Sequence, residues 1–575
     1  MGIYTERKIG GRACAAILAT AFVVLYGVWL FLGPELMRAE AVIAAASAEL
    51  SSKNPMLVTI HGWATPECMP LLPAVARLLH GLTGAPMESV LRGLSILMLG
   101  AGALLVYVAA SSRHSARAGV VAAAMYSSCF LSLGTAIEGT PATLNAFLLG
   151  AAQWIFFEYG IRGSDWNRAW IYSALLITLG FLSGGFTVLF FFIFPMFFFR
   201  RPVSVSFKFR RPGFVAAIVI TALAVLVWWV SFFSSPRQIS PYDMLWRQLT
   251  ESGVGRALLT FPFSLVFWLL PWSLIAWLPF CAGLQPLDET PIYSRYLRTL
   301  AFSSLALLWL LPEIGRYGLF YALIPLSVLT GRFYEMGMRR YGIKLRRVFL
   351  ILEVFIAAVA LVIVAGSFLP ETLLSPKWLP DNFISLDAGL AFRDKPYFTN
   401  TALAITVMAL ALAFYVHWGR EREPAWMMIL AASVTSALFF NGLHFPYRSQ
   451  ERTKRKFGRE LRQVMPKNRR LYTRNIRNLN GGLFCAGVPV RRLGPGESFP
   501  ETENEVWLLS GEFPQVVGYG NWREIGSFDY NGHPLKLWEG RRNERKKSAE
   551  ETNPEVKPEA KPESNPEDKS GEKKS

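Results

Sequence analysis

The chain reads as an all-α polytopic membrane protein of about thirteen transmembrane helices, with a small C-terminal α/β domain and a disordered charged tail. Three observations predict this class. Of its 575 residues 52% are hydrophobic and only 17% charged, whereas soluble chains carry about 25% charge. The apolar residues come in blocks of about 20, the length of a helix that crosses a bilayer. From 541 onward aromatics vanish and Pro-Glu recurs at Pro554, Pro558, Pro562 and Pro566 amid Lys and Glu, a composition with too little apolar surface to order itself. With five cysteines and no matching repeat, disulfide scaffolds, collagen and coiled coils are excluded.

Candidate spans lie near 13–33, 90–110, 118–136, 140–158, 169–183, 186–199, 213–233, 259–281, 299–312, 318–334, 348–369, 400–418 and 425–444. The first follows Arg7, Lys8 and Arg12 without a small-residue cleavage site, and reads as a retained anchor. Positive loops stay cytoplasmic, so the N-terminus is placed inside. Arg113 and Arg117, Arg162 and Arg168, the cluster Arg200 to Arg211, and the run Arg339 to Arg347 then fall on one side. The same rule splits 169–183 from 186–199 at Gly184-Gly185, because a single long helix would put Arg113 and Arg200 on opposite faces. The span count leaves outside the loops 34–89, 135–140, 234–258, 312–317 and 370–399, and everything after 445. The basic run after 445 (Arg448, Arg452, Lys454, Arg455, Lys456, Arg459, Arg462) pulls the other way; earlier helices usually decide orientation.

Domains divide accordingly. Residues 1–444 form the membrane domain, with outer-loop amphipathic helices in 34–89. Glu35 to Leu50 is Ala-rich, Thr65-Pro66-Glu67 resembles a helix start, and Leu71 to Leu82 carries Arg77 and His80. Two such helices lying on the membrane surface would floor a cavity open to bilayer and water. Residues 445–540 form the extracytoplasmic domain: a basic amphipathic helix from about 449 to 465, then strand-like runs at Arg470–Thr473, Leu483–Ala486, Val506–Leu509 and Leu535–Trp538. Residues 541–575 are the tail. No Walker loop, dinucleotide fingerprint, CxxC pair or Ser-x-x-Lys is present. ATP use and nucleic-acid binding are therefore not expected, despite a net charge of +18. A bridge between Cys68 and Cys485 is open in an oxidising compartment, though spacing alone pairs no cysteines.

Four stretches on the outer side carry polar residues in a recognisable order: Gly33-Pro34-Glu35-Leu36-Met37-Arg38-Ala39-Glu40, Glu67-Cys68-Met69-Pro70-Leu71-Leu72-Pro73, Gly84 through Arg92 (GAPMESVLR), and Arg316-Tyr317-Gly318-Leu319-Phe320-Tyr321 with Pro325. Together with the span layout they resemble the GT-C superfamily of polyprenyl-phosphate-sugar transferases. The nearest branch is that of bacterial protein mannosyltransferase-like and lipid A aminoarabinose transferase enzymes. The resemblance implies an inverting glycosyltransferase of the cytoplasmic (inner) membrane, its active site extracytoplasmic. A sugar would move from a polyprenyl-phosphate donor to a lipid, protein or cell-envelope glycan acceptor.

It also implies roles. Glu35 stands where the family has an Asp-Glu pair containing the proposed general base; Pro34 and Leu36 reduce that pair to one acid. Glu138, in the turn Gly134 to Pro141, occupies the place of a family Asp that lines the sugar site, and is the alternative base. Arg316, with Tyr317, Tyr321 and Arg38, is expected to hold the donor phosphate, since a guanidinium suits two phosphate oxygens at once. Glu67 contributes to the same subsite, although Cys68 replaces the family's following Lys. Glu67 and His61 are also the candidate ligands of a divalent metal ion, at a six-residue spacing without diagnostic value. Glu40 is expected to pair structurally with Arg38 or Arg77. The lid candidates are Arg237, Tyr242, Asp243, Trp246 and Arg247. The basic helix 448–462 would face anionic membrane lipids or acceptor phosphates.

Two rivals belong to other classes. A transporter or flippase would use acids inside its spans and often shows repeats; here the acids read as lying at outer ends and no inverted repeat is seen. A non-catalytic scaffold that kept the layout and lost the motif is made credible by Pro34 and Cys68.

Overall fold

The structure is a computed structural model. It describes scattered positions between 20 and 36, and residues 38–542 apart from 52–53, 67, 201–208, 239–253, 312–314, 367–395, 419–432, 445–452, 467–468, 475–478, 495–496, 501–502, 515–518 and 531–532. Glu35, Glu67, the lid residues Tyr242, Asp243, Trp246 and Arg247, nearly all of the 370–399 loop and the tail after 542 lie outside the described residues.

The first described helix, α1 (Arg38–Glu49), forms from an Ala-rich stretch of high helix propensity. It does not lie on a surface as expected. Ala41, Ile43, Ala44, Ala46, Glu40 and Ser47 are all buried, because α1 is enclosed by neighbouring helices and by the C-terminal region. A short hairpin, β1 (Thr59–Ile60) and β2 (Trp63–Ala64), follows. Helix α2 (Leu71–Thr83) is closed by Gly84 in the left-handed region, whose N–H reaches the His80 carbonyl. It keeps Leu78 and Leu82 exposed beside Arg77 and His80, the amphipathic pattern anticipated for it.

The bundle is built from α3 (Met87–Ser111), α4 (Ala116–Ser128), α5 (Phe130–Thr135), α6 (Ala142–Ile155, continued as a π-helical turn to Arg162) and α7 (Trp166–Gly184). Then come α8 (Phe186–Ile193), α9 (Pro212–Phe233), α10 (Val254–Trp268), α11 (Pro291–Leu310), α12 (Gly315–Gly366) and α13 (Pro396–Trp418). Side-chain caps set two starts: Ser115 accepts from the Ala118 N–H and Asp165 from the Arg168 N–H.

Several expected spans are broken. The run 118–136 is interrupted at Cys129, whose backbone is extended. The run 259–281 bends by 101° between Leu258–Trp268 and Trp272–Phe280; Pro271 stands in that break, where it offers no amide donor. The basic segment expected as a loop at 339–347 is mostly helical, since 318–334 and 348–366 run together across a kink at Tyr341. Among the described residues, Met87–Ser111 and Pro212–Phe233 are long and apolar enough to cross a membrane, and the bent pair makes up to three. The layout of thirteen full spans is therefore not reproduced by length and composition; half-length helices buried in the bundle take the place of several.

Gly185 divides α7 from α8 as the charge argument required. With φ 67° and ψ −155° it occupies a region open only to glycine, and the chain folds back there. A Cβ at Gly180 would lie 2.7 Å from Val188 Cγ1, whereas eight residues of straight helix would separate them by about 12 Å.

The two ends of the bundle are chemically distinct. At the far end of α3, Arg113 pairs with Glu158, the Ser115 hydroxyl donates to Glu335 at 2.8 Å, Arg340 donates to the Gly283 carbonyl, and Arg332 meets Asp288 at 2.6 Å. These segments are the ones the basic-loop rule groups together. One acid departs from the expectation that acids lie only at outer ends. Glu353, inside the run 348–369, is buried and accepts from the Thr435 hydroxyl at 3.3 Å.

The C-terminal region is a five-stranded sheet in the order β4-β3-β5-β7-β6: β3 (Leu471–Thr473), β4 (Val490–Arg492), β5 (Glu505–Ser510), β6 (Tyr519–Tyr530) and β7 (His533–Arg542). β3 runs parallel to β4 and β5; β7 is antiparallel to β5 and β6. Alternation sends Trp507 and Leu509 towards the basic helix α14 (Thr453–Val464), and Val506 and Leu508 to the other face. Leu483–Ala486, expected as a strand, is instead the end of helix α15 (Asn480–Ala486), stopped by Gly487 at φ 62°. Four apolar residues between glycines fit a buried helical turn as well as a strand. Cys68 and Cys485 are not joined by a disulfide.

At Gly185 an added Cβ would meet only Met69, at an ordinary 3.7 Å. Gly185→Ala should therefore destabilise through the backbone alone, by about 1–3 kcal/mol, read as a lowered unfolding midpoint in detergent. An unchanged midpoint would show that the fold-back does not depend on this residue.

Candidate active site

The end of the bundle that carries α1 gathers the outer polar residues. The turn between α5 and α6 is hydrogen-bonded to itself, the Glu138 N–H reaching Thr135 O at 3.0 Å and the Thr140 N–H reaching Glu138 O at 2.6 Å. It is pressed close to its neighbours: a Cβ on Gly139 would stand 2.4 Å from Leu91 Cβ and 3.3 Å from Glu40 Oε1. Only a residue without a side chain lets the turn approach α1 and α3 so closely.

Glu138 is 1% exposed, and its charge is met by the first turn of α12. Arg316 Nη2 donates to Oε1 at 2.6 Å and to Oε2 at 2.8 Å, and the Tyr317 hydroxyl donates to Oε2 at 2.7 Å. The guanidinium also lies over two rings, 5.4 Å from the Trp268 centroid and 5.1 Å from that of Tyr317, a geometry in which ring faces attract a cation. Burial, then the Glu138 charge, pushes the Tyr317 phenol up to about 12, so it keeps the proton it donates. Among the described residues every hydrogen bond of Arg316 runs through Nη2. Nη1 and Nε make none to those residues, and the side chain is 29% exposed.

This last feature separates the pair from two others. Glu40 meets Arg92 at 3.1 and 3.3 Å, with side chains 1% and 3% exposed. Asp288 and Arg332 are 2% and 0% exposed. Those pairs are sealed, although Arg332 too leaves Nε and Nη1 without a partner; of the three cations only Arg316 reaches the surface. Of the cations near Glu40, Arg92, one turn into α3, is a partner and Arg77 is exposed, while the Arg38 side chain lies outside the described residues. Glu40 is buried and needs a cation within the bundle, which an exposed guanidinium does not supply.

The other predicted residues are distributed as follows. Tyr321, one turn beyond Tyr317, is buried against Phe191 with centroids 4.6 Å apart and its hydroxyl hydrogen-bonded to Asn145; it does not touch the Glu138 cluster. The backbone of Arg38 begins α1. His61 sits at the turn of the β1–β2 hairpin, its Nε2 3.1 Å from Asn480 Oδ1. Among the described residues there is no group of three or more His, Cys, Asp or Glu able to hold a metal ion. His61 holds Nε2 on Asn480, and Glu67, its expected co-ligand, lies outside the described residues. Trp268, Arg92 and Glu49, which accepts from the His61 and Gly62 N–H groups at 2.7 and 3.1 Å, were not singled out as site residues. Their partners lie too far away in the chain for spacing to reveal.

The structure is similar to that of ArnT from Cupriavidus metallidurans bound to undecaprenyl phosphate, with a TM-score of 0.68 and 12% identity over 91% of this chain and 97% of that one. The same protein in its apo state gives a TM-score of 0.62 over the same shares, also at 12% identity. The apo oligosaccharyltransferase of Archaeoglobus fulgidus gives 0.45, at 12% identity over 84% of this chain and 64% of that one. Residues 64–229 match the family model for dolichyl-phosphate-mannose-protein mannosyltransferase. No curated protein matches the chain.

Because Glu40 and Arg92 are sealed together, Arg92→Met should cost about 3–5 kcal/mol by leaving a buried charge alone. The double variant Glu40→Met with Arg92→Met should recover most of that loss. Unfolding midpoints of the three proteins decide the matter; equal losses in single and double variants would show that the pair is not what holds α1 to α3.

Proposed function

We propose that the protein is an inverting glycosyltransferase that moves a sugar from a polyprenyl-phosphate carrier to an acceptor hydroxyl at the outer face of the cytoplasmic membrane. The observation that carries this reading is the half-buried guanidinium of Arg316, anchored on Glu138 through one nitrogen and with Nη1 and Nε making no hydrogen bond among the described residues. The fold shared with ArnT, whose structure holds undecaprenyl phosphate, supports it, as does the family model over 64–229.

In the reaction, the acceptor oxygen bonds to the anomeric carbon as the bond from that carbon to the phosphate oxygen breaks. The acceptor's proton passes to a carboxylate, and the polyprenyl phosphate leaves with an additional negative charge. Arg316 meets that charge with a donor that Glu138 does not use, in a site where preorganised donors stabilise a developing anion without reorganising. Glu138 already accepts three hydrogen bonds and is nearly sealed from outside. It acts on Arg316, fixing the plane of the guanidinium, and the proton is assigned to Glu35. Tyr317 completes the same anchor. No step is assigned to a divalent ion. Lipid-phosphate sugars bring their own leaving group, in keeping with the lack of any nucleotide motif. The sugar and the acceptor, whether lipid, protein or glycan, are left to experiment.

Turnover and donor-phosphate binding of the purified protein test the roles separately. Arg316→Ala should weaken binding of undecaprenyl phosphate about 10–100-fold, the worth of charge-assisted hydrogen bonds of about 1.5–3 kcal/mol. Arg316→Lys should not restore it, since an ammonium cannot bridge carboxylate and phosphate as a planar fork does. Glu35→Gln should lower kcat by about 10²–10⁴-fold with binding intact. Glu138→Asp, which draws the anchor back by one methylene, should weaken binding and turnover together. Undiminished phosphate binding in Arg316→Ala would overturn the assignment. Wild-type lipid and glycan profiles in cells carrying Glu35→Gln would favour a non-catalytic role.

A further inference from the structure

A second polar site lies farther out along α1. Glu49 is nine residues beyond Glu40, about 14 Å at 1.5 Å per residue. There a cavity of about 550 Å³ opens between α1, the β1–β2 hairpin and the C-terminal region, its rim carrying His61, Arg237, Arg470 and Arg491 and its wall including Phe484. This is within the size range of small-molecule sites.

The acids around it are already committed. Glu49 accepts from the N–H groups of His61 and Gly62 and from the Thr59 hydroxyl at 3.2 Å, which closes the hairpin turn. Glu497 is taken by Arg237 and stands 3.7 Å from Arg491, beyond hydrogen-bond reach. The basic groups are partly committed, Arg237 and Arg491 to Glu497 and Arg470 to the Tyr472 hydroxyl, but some of their atoms remain unused. Arg491 Nε is buried without a hydrogen-bond partner, and so is Nδ1 of His61, a residue only 8% exposed. Natively folded proteins seldom leave such atoms unpaired. His61 is moreover held at φ 54°, in the left-handed region that side chains rarely adopt. Strain of this kind collects at binding and catalytic sites. Burial holds the His61 imidazole below its ordinary value and the Glu49 carboxyl above its own, and three arginines stand on the rim.

We propose that this cavity is a second binding site, distinct from the Glu138–Arg316 cluster, for a phosphate or carboxylate carried on a monosaccharide-sized body. Arg491 and Arg470 hold the anion, His61 supplies one further polar contact, and the body lies against Phe484. Its occupant bridges the outer loop to β4 and α15. The site does not depend on which carboxylate serves as the base at Glu35 or Glu138.

Calorimetric titration of the full-length protein in uncharged detergent tests it, with glucose 1-phosphate, glucuronate and glucose as probes. The two anions should bind at least tenfold more tightly than glucose. Arg491→Gln and the exposed Arg470→Gln should each weaken glucose 1-phosphate at least tenfold, while Arg316→Ala leaves it unchanged. Repeating the titration in phosphatidylglycerol nanodiscs assigns the natural source of the anion. Weakened binding there points to lipid headgroups in the cavity, and unchanged binding to a soluble or glycan-borne group. No binding of either anion, binding indifferent to both rim variants, or binding abolished by Arg316→Ala would overturn the proposal.

Discussion

A charge withdrawn from water must find an opposite charge, and in this protein that requirement fixes where the helices can stand. Glu40 and Arg92 join α1 to α3, and Asp288 and Arg332 hold the opposite end of the bundle together. Glu138 and Arg316 join the α5–α6 turn to the start of α12. Breaking such a pair leaves a buried ion alone, at about 3–5 kcal/mol, although a well-packed apolar substitute for both partners is often as stable. Two of the pairs are consistent with a purely structural use. The third is not sealed, and an exposed cation tethered to a buried acid is an inefficient way to hold helices but an effective way to present donors.

The C-terminal region is held against the same end by contacts of a different kind. Arg455 pairs with Glu88 at the start of α3, Lys454 donates to the Leu36 carbonyl, and the Trp63 indole donates to Arg492 O at 2.9 Å. Exposed pairs such as Arg455–Glu88 contribute little, about 0–1 kcal/mol. The larger share comes from apolar burial, as Phe484 and Cys485 of α15 pack into the cluster formed by α1, α2 and α3. This explains why α1 is enclosed where a membrane-surface helix was expected. Its Ala-rich face suits close contact with α15, where a Cβ on Gly481 would lie only 3.5 Å from Ala41 Cβ.

Much of this was legible in the sequence because it is local. Glu138 and Arg316 were visible as charged residues at the outer ends of apolar runs, where such residues are costly and seldom idle. The turn at Gly184-Gly185 followed from charge balance. Strands β3, β5 and β7 followed from β-branched and aromatic runs between turn residues. The pairings were not legible. Glu138 and Arg316 are 178 positions apart and Glu40 and Arg92 are 52 apart, and no spacing rule reaches that far. Glu353 escaped notice because its partner Thr435 lies on another span. The long edge strand β6 mixes Gly, Asn, Arg and Glu with its apolar residues; its stability comes from pairing with β7, and propensity gives no hint of that.

The geometry at Arg316 also bears on why an arginine stands there. A lysine presents one compact ammonium, which would be drawn wholly to Glu138. The guanidinium has five donors in a fixed plane, and here the bonds to the carboxylate use a single nitrogen. Anchoring thus occupies one nitrogen of a rigid group, with Trp268 and Tyr317 restraining its faces. An anion arriving at either remaining nitrogen meets donors that are already oriented, so little ordering remains to be done on binding. The same rigidity relays any displacement of Glu138 to those donors. Under the proposed phosphate role of Arg316, the close contact of Gly139 with Leu91 serves that role as much as the packing of α3.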